Sequence, residues 1–145
     1  MTQEKLKQFL DACYDAKRLV EHLPDLPDGM KPRQVHVLDA VNEIQKKHGF
    51  CRVSDISSYM NTTLPSITKL VQELEERNLL VKQADEKDKR VINLTLTEEG
   101  KEFVELRVTH FHGEWASRLP DLDDAVVDEF VHAITRMQET MPGIK

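Results

Sequence analysis

Apolar residues recur every three to four positions through most of the chain, and the interruptions of that rhythm divide it into helices joined by short loops. Leu6, Phe9, Cys13, Ala16, Val20 and Leu23 form a seam that predicts a first helix of about six turns at 3.6 residues per turn. Pro24, Pro27 and Gly29, in HLPDLPDGMKP, end it in a loop. A second helix is expected after Pro32 and up to His48, with Val35, Leu38, Val41 and Ile44 inward and Gly49 as its stop. Phe50 to Val53 can supply a short strand. Two closely spaced helices follow: Val53 to Met60, with Ile56, Tyr59 and Met60 inward, and Leu64 to Arg77, with Ile67, Leu70, Val71 and Leu74 on one stripe. Asn61 and Thr62 alone separate the first from Thr63, whose hydroxyl can cap the second. Pro65 sits in the first turn, where a missing donor costs nothing, and Asn78 follows the last turn, where a left-handed residue is often needed.

The period then changes. Leu79 to Gln83 and Val91 to Leu96 read as strands, the second alternating Ile92, Leu94 and Leu96 with Val91, Asn93 and Thr95. Their connector, ADEKDKR, is polar apart from Ala84. Two helices across a tight turn make a helix-turn-helix, and a charged hairpin behind it makes a wing. Helical rhythm resumes at Thr97, a plausible N-cap followed by Glu98 and Glu99, with Val104, Val108, Phe111, Trp115 and Leu119 in a stripe. Leu119, Pro120 and Asp121 mark a break, and a last helix carries Leu122, Val126, Phe130, Ile134, Met137 and Met141 on one face. The expected fold is mainly α with a small β-hairpin (α+β): a winged helix-turn-helix core over 31–97, flanked by helices over 1–30 and 98–145, all in one domain of 145 residues.

Composition narrows the function. With 39% hydrophobic and 32% charged residues the chain is globular, and no apolar run is long enough to span a bilayer. MTQEKLKQFLDACYDAK lacks the pattern of a signal peptide, and the two cysteines, Cys13 and Cys51, form no disulfide framework; both features point to the cytoplasm and to no membrane partner. There is no phosphate-cradling glycine loop, no H-E-x-x-H and no G-x-S-x-G, so an enzyme is not expected, and no cofactor is implied. A net charge of -6 argues against a protein that coats nucleic acid without specificity. Even 62–90 is balanced, with Lys69, Arg77, Lys82, Lys87, Lys89 and Arg90 against Glu73, Glu75, Glu76, Asp85, Glu86 and Asp88. Placement therefore has to matter more than the sum.

The run ELEERNLLVKQADEKDKRVINLTLTEEGKE resembles the signature of the multiple-antibiotic-resistance regulator (MarR) family of bacterial transcription factors. The resemblance lies in Leu74-Glu75 at the end of the recognition helix, Asn78-Leu79 after it, the D-x-x-D-x-R wing of Asp85, Asp88 and Arg90, and Leu96-Thr97 before Glu99-Gly100. Asn78 replaces the family's usual Gly, and Gln83 stands where a basic residue is common. The resemblance implies a homodimer in which N- and C-terminal helices of two subunits interlock, binding a pseudo-palindromic double-stranded DNA operator, typically as a repressor released by a ligand.

On that basis the DNA candidates are Pro65, Ser66, Thr68, Lys69 and Gln72 on the recognition helix, with Lys87, Lys89 and Arg90 in the wing. Gln72 can pair with adenine and Lys69 with guanine or phosphate; Arg90 resembles the family's minor-groove arginine, oriented by Asp88 beside Asp85. An exposed ion-pair cluster that merely holds the hairpin is the plainer reading of Asp85, Asp88 and Arg90, and the two roles are compatible.

The resemblance also implies a cleft for a small aromatic or phenolic acid, with Arg33, His36, Phe111 and Trp115 as candidate lining. Each can equally be structural. Cys13 resembles in position the thiol of peroxide-sensing relatives, but Lys31 and Val35 stand where those relatives bring tyrosines. Zinc-responsive relatives carry a His pair at i and i+4, whereas His110 and His112 are two apart, so no metal site is expected although His36 falls at a ligand position. A winged-helix module that binds protein in place of DNA stays open, kept alive by Gln83 and the balanced charge.

Overall fold

A computed structural model of the chain describes residues 1–22 and 26–143. Those residues form seven α-helices, one π-helical segment and a two-stranded antiparallel hairpin, in two compact units, Met1–Thr109 and His110–Lys145.

In the first unit α1 (Gln3–Glu21) opens with Thr2, whose hydroxyl accepts the Lys5 amide proton at 3.1 Å. Leu23, the last residue of its expected seam, and Pro24 lie outside the described residues. α2 (Pro32–His48) is the central helix. It starts with Pro32 in the first turn and the Lys31 amide donating to Gln34 Oε1 at 2.9 Å, and it stops at Gly49, which takes φ +75. All four inward residues read from the pattern are buried, together with Gln34, Val37 and Ala40.

α3 (Val53–Met60) and α4 (Leu64–Glu76) cross a short turn in which Asn61 adopts φ 51. Burying Ile67, Leu70, Val71 and Leu74 of α4 against α2 and α3 is worth about 1.5–3 kcal/mol for each side chain. Two expectations for this region are corrected. Tyr59 is 53% exposed: on so short a helix only Ile56 reaches the core fully, and the phenol sits near the acids of α2. There its pKa is raised, by partial desolvation first and then by Asp39 and Glu43. The Thr63 hydroxyl caps no backbone amide; it donates to Ser66 Oγ at 3.0 Å.

The hairpin consists of β1 (Leu80–Ala84) and β2 (Ile92–Leu96), with Lys82 opposite Leu94 and Gln83 opposite Asn93. Leu80, Leu94 and Leu96 enter the core, while Ile92, nearer the tip, is exposed. Asn78 takes φ 60, and Leu79 and Asn78 donate to the Leu74 and Glu75 carbonyls, closing α4 in the manner the sequence suggested. Phe50 to Val53 does not form a strand. Cys51 makes a single backbone bond to β2, from the Leu94 amide at 2.7 Å, its own amide donates to the Asn93 side chain at 2.8 Å, and Val53 already begins α3. Cys51 is fully buried, and desolvation with the nearby Asp55 charge pushes its thiol up to about 12, which makes it an unreactive core residue.

α5 (Glu98–Val104) starts at Thr97, which accepts the Gly100 amide proton at 3.0 Å, and leads into a π-helical segment, Glu105–His110, where the stripe had suggested plain α-helix. Val104 and Val108 complete a core that runs from Met30 to Val108. In the second unit lie α6 (Phe111–Ser117) and α7 (Asp124–Thr140), the latter capped by Asp123; Leu122 and Met141 fall outside the last helix. Neither α1 nor α7 has a buried residue, and their apolar seams remain on the surface, including Leu6, Leu10, Val126 and Phe130.

Candidate nucleic-acid interface

α4 presents two faces because its apolar stripe is anchored. With Ile67, Leu70, Val71 and Leu74 inward, Pro65, Thr68, Lys69 and Gln72 are exposed along the opposite side, and Ser66 is half-buried at the turn. The structure thus brings together the helix residues expected to meet a duplex. Thr68 donates its hydroxyl proton to the Leu64 carbonyl at 2.9 Å, leaving its oxygen as an acceptor. Lys69 carries no ion pair among the described residues.

The balanced charge of this region is resolved by where the acids go. Glu73 Oε2 accepts a 2.7 Å hydrogen bond from the buried Gln34 amide group on α2, and Glu75 pairs with Lys82 of β1 at 3.0 Å. Both carboxylates are therefore drawn off the outer face of α4. Gln34 was not singled out by sequence, since a lone Gln on a helix carries no periodic signal. Its carbonyl oxygen caps the start of α2 while its amide holds α4, so Gln34→Ala strands the Lys31 amide and Glu73 at once. The expected cost is about 1–3 kcal/mol, read as a lower denaturation midpoint at unchanged slope. A midpoint equal to that of the parent protein would show the tether to be idle.

In the wing, the Asp85 amide donates to the Val91 carbonyl at 2.8 Å and the Val91 amide to the Asp88 carbonyl at 2.9 Å, which closes the hairpin. Asp88 clips Arg90 three ways: Oδ1 accepts from the Arg90 amide at 3.1 Å and from Nε at 3.1 Å, and Oδ2 accepts from the guanidinium at 3.2 Å. The Arg90 bonds hold the Asp88 carboxyl below its ordinary range, with a smaller contribution from the Arg52 charge. Arg90 stays 91% exposed at the side chain, so the clip fixes its direction without burying it. Lys87 and Lys89 are exposed beside it.

The remaining candidates are dispersed. Arg33 is exposed over a cleft of about 620 Å³ shared with Ser57, Asn61, Thr63 and Ser66 of the helix-turn-helix. The His36 ring nitrogen Nε2 lies 2.8 Å from the Val20 carbonyl and ties α2 to the end of α1. Phe111 and Trp115 form a tilted ring pair at 5.7 Å within the second unit. Cys13 is half-buried on α1. No three His, Cys, Asp or Glu side chains converge on a common point among the described residues, and none of the described helices is long and apolar enough to cross a membrane.

This geometry agrees with known proteins. Residues 28–91, which hold the helix-turn-helix and most of the wing, match the model of the MarR family. Over that segment the chain is similar to the MarR family. It is 39% identical over 72 residues to the HTH-type transcriptional repressor MdtR of Bacillus subtilis (strain 168), a match that takes in 50% of this chain and 44% of that protein. Across nearly the whole chain the fold recurs in solved structures. The S. aureus MepR-DNA complex has a TM-score of 0.68 at 20% identity, covering 98% of this chain and 99% of that one. BpsR of Bordetella bronchiseptica, whose structure concerns regulation of its DNA binding by 6-hydroxynicotinic acid, has a TM-score of 0.70 at 22% identity and covers 97% of each.

Proposed function

We propose that this chain is a MarR-family, cytoplasmic, sequence-specific transcriptional regulator with no enzymatic activity, binding a pseudo-palindromic double-stranded DNA operator as a homodimer. The observation that carries this reading is the pairing of an exposed polar face on α4 with an Arg90 aimed outward by Asp88, on the segment that matches the family. Pro65, Ser66, Thr68, Lys69 and Gln72 read the major groove, Arg90 enters the minor groove, and Lys87 and Lys89 meet phosphates, with Asp85 and Asp88 shaping the wing. The uncovered seams of α1 and α7 support 1–30 and 98–145 as dimer-forming arms around the 31–97 winged core. A symmetric pair sets the two α4 helices one turn of DNA apart, roughly 34 Å.

Repression released by a small aromatic or phenolic acid is the regulatory reading, favoured by MdtR being a repressor and by the effect of 6-hydroxynicotinic acid on BpsR. Arg33 is the residue best placed to receive a carboxylate, since its cleft adjoins the start of α4. The test is a fluorescence-anisotropy titration against the intergenic DNA beside the protein's own gene, at two salt concentrations. Saturable binding that exceeds a scrambled duplex and falls steeply with salt is expected. Binding that ignores both sequence and salt would instead favour a winged module that docks on protein.

A further inference from the structure

The segment in front of α3 was expected to be a strand and instead becomes a mount for a cation. The two bonds from Cys51 to β2 hold Phe50 and Arg52 against the wing. Arg52 then serves as the N-cap position of α3, its amide donating to Asp55 Oδ2 at 2.9 Å, and its guanidinium carbon lies over the Phe50 ring, 5.2 Å from the centroid. Phe50 is in turn 6.0 Å from the His48 ring and 41% exposed. The Arg52 charge acts on Asp88, so it lies within electrostatic reach of the carboxylate that clips Arg90. Both Asp88 oxygens are already taken by Arg90, and among the described residues Arg52 has no carboxylate partner for its side chain. An exposed arginine stacked on an aromatic face keeps its in-plane N-H groups available for two-point binding of a phosphate. It also stands at the entry of the first helix of the motif, the helix that crosses the DNA backbone in helix-turn-helix complexes.

We infer that Arg52, seated on Phe50, is a DNA phosphate contact that adds to the wing cations, and that Phe50 is its positioning residue. This rests on the DNA-binding reading above. The experiment is the same anisotropy titration, run over a salt series on operator and scrambled duplexes with the parent protein, Arg52→Ala, Arg52→Gln, Arg52→Lys and Phe50→Leu. Each phosphate contact contributes about 0.9 to the slope of log affinity against log salt, so Arg52→Ala is expected to flatten the slope by about 2 for a dimer. It should weaken both duplexes by the same factor, roughly tenfold or more at low salt. Arg52→Lys should retain the slope, and Phe50→Leu should retain it with reduced affinity. Arg52→Gln keeps the backbone cap and gives the same readout should the alanine variant fold poorly. A folded neutral Arg52 variant, Arg52→Ala or Arg52→Gln, with the parent slope overturns the assignment whether or not its affinity falls; a fall in its affinity at that unchanged slope would mean a purely structural role for Arg52. Absence of salt-sensitive binding by the parent protein itself would sink the DNA reading, a distinct outcome.

Discussion

Arg90→Ala is expected to lower operator affinity by roughly tenfold to a hundredfold, the range of about 1–3 kcal/mol for one lost groove contact in each site. The effect should be confined to binding. Arg90 is almost fully exposed and its side-chain hydrogen bonds and ion pair among the described residues are to Asp88, so its removal takes nothing from the core and stability should move by about 0.5 kcal/mol or less. Asp88 supplies the direction: two bonds from its carboxylate to the guanidinium, beside a third to the Arg90 amide, restrict an otherwise flexible side chain before it meets the duplex, which reduces the ordering cost of binding. Because the folded Asp88 pKa is depressed, the clip's contribution is present above the ordinary carboxylate pKa and is lost only as pH falls through the folded value; neutral-pH assays therefore see the clip intact. Anisotropy and thermal unfolding measured side by side decide the matter. Parent-like affinity in a folded Arg90→Ala protein would remove Arg90 from the interface.

Gly100→Ala is expected to destabilise the protein by roughly 3 kcal/mol, through overpacking combined with damage to a helix cap. A Cβ at position 100 would stand 2.2 Å from the Leu79 carbonyl oxygen and 3.1 Å from its carbon, both backbone atoms that cannot rotate away. The same junction carries the Thr97 amide bond to the Leu79 carbonyl at 3.1 Å, the Thr97 hydroxyl bond to the Asn78 carbonyl at 2.7 Å, and the Gly100 amide bond to the Thr97 hydroxyl. Moving α5 to admit a methyl group therefore strains the end of α4, the start of the wing and the α5 cap together. Gly113→Ala is the matched control: it lies in α6 with open space around it, and alanine there should be neutral or stabilising by up to about 1 kcal/mol. Chemical denaturation of the two variants gives the comparison. Equal stability of Gly100→Ala and the parent would refute the close approach.

Much of the winged segment was legible because its residues obey local rules. The α4 stripe, the Gly49 and Asn78 stops, the Thr97 cap and the alternation of β2 are each set by spacing within a few residues, and the structure has them. Errors arose where a side chain's fate depended on a neighbour distant in sequence. Tyr59 has the spacing of an inward residue, yet α3 is too short and too close to the acids of α2 to bury it. Phe50 to Val53 has strand composition, but a single backbone bond to Leu94 satisfies it and the chain turns at once into α3.

The wing and recognition-helix candidates followed from spacing and from resemblance, while Arg52 and Gln34 left no local trace. What the sequence determined by itself was the order of elements, the inward face of α2 and α4, and the likeness of the winged segment to the MarR family, because hydrophobic period, caps and turn residues act through chain neighbours. What only the tertiary structure decided was the electrostatic surface. Glu73 and Glu75 are drawn off the outer face of α4 by Gln34 and Lys82, and Arg52 is carried to the wing through Cys51, because contacts between residues far apart in the chain have no period to read.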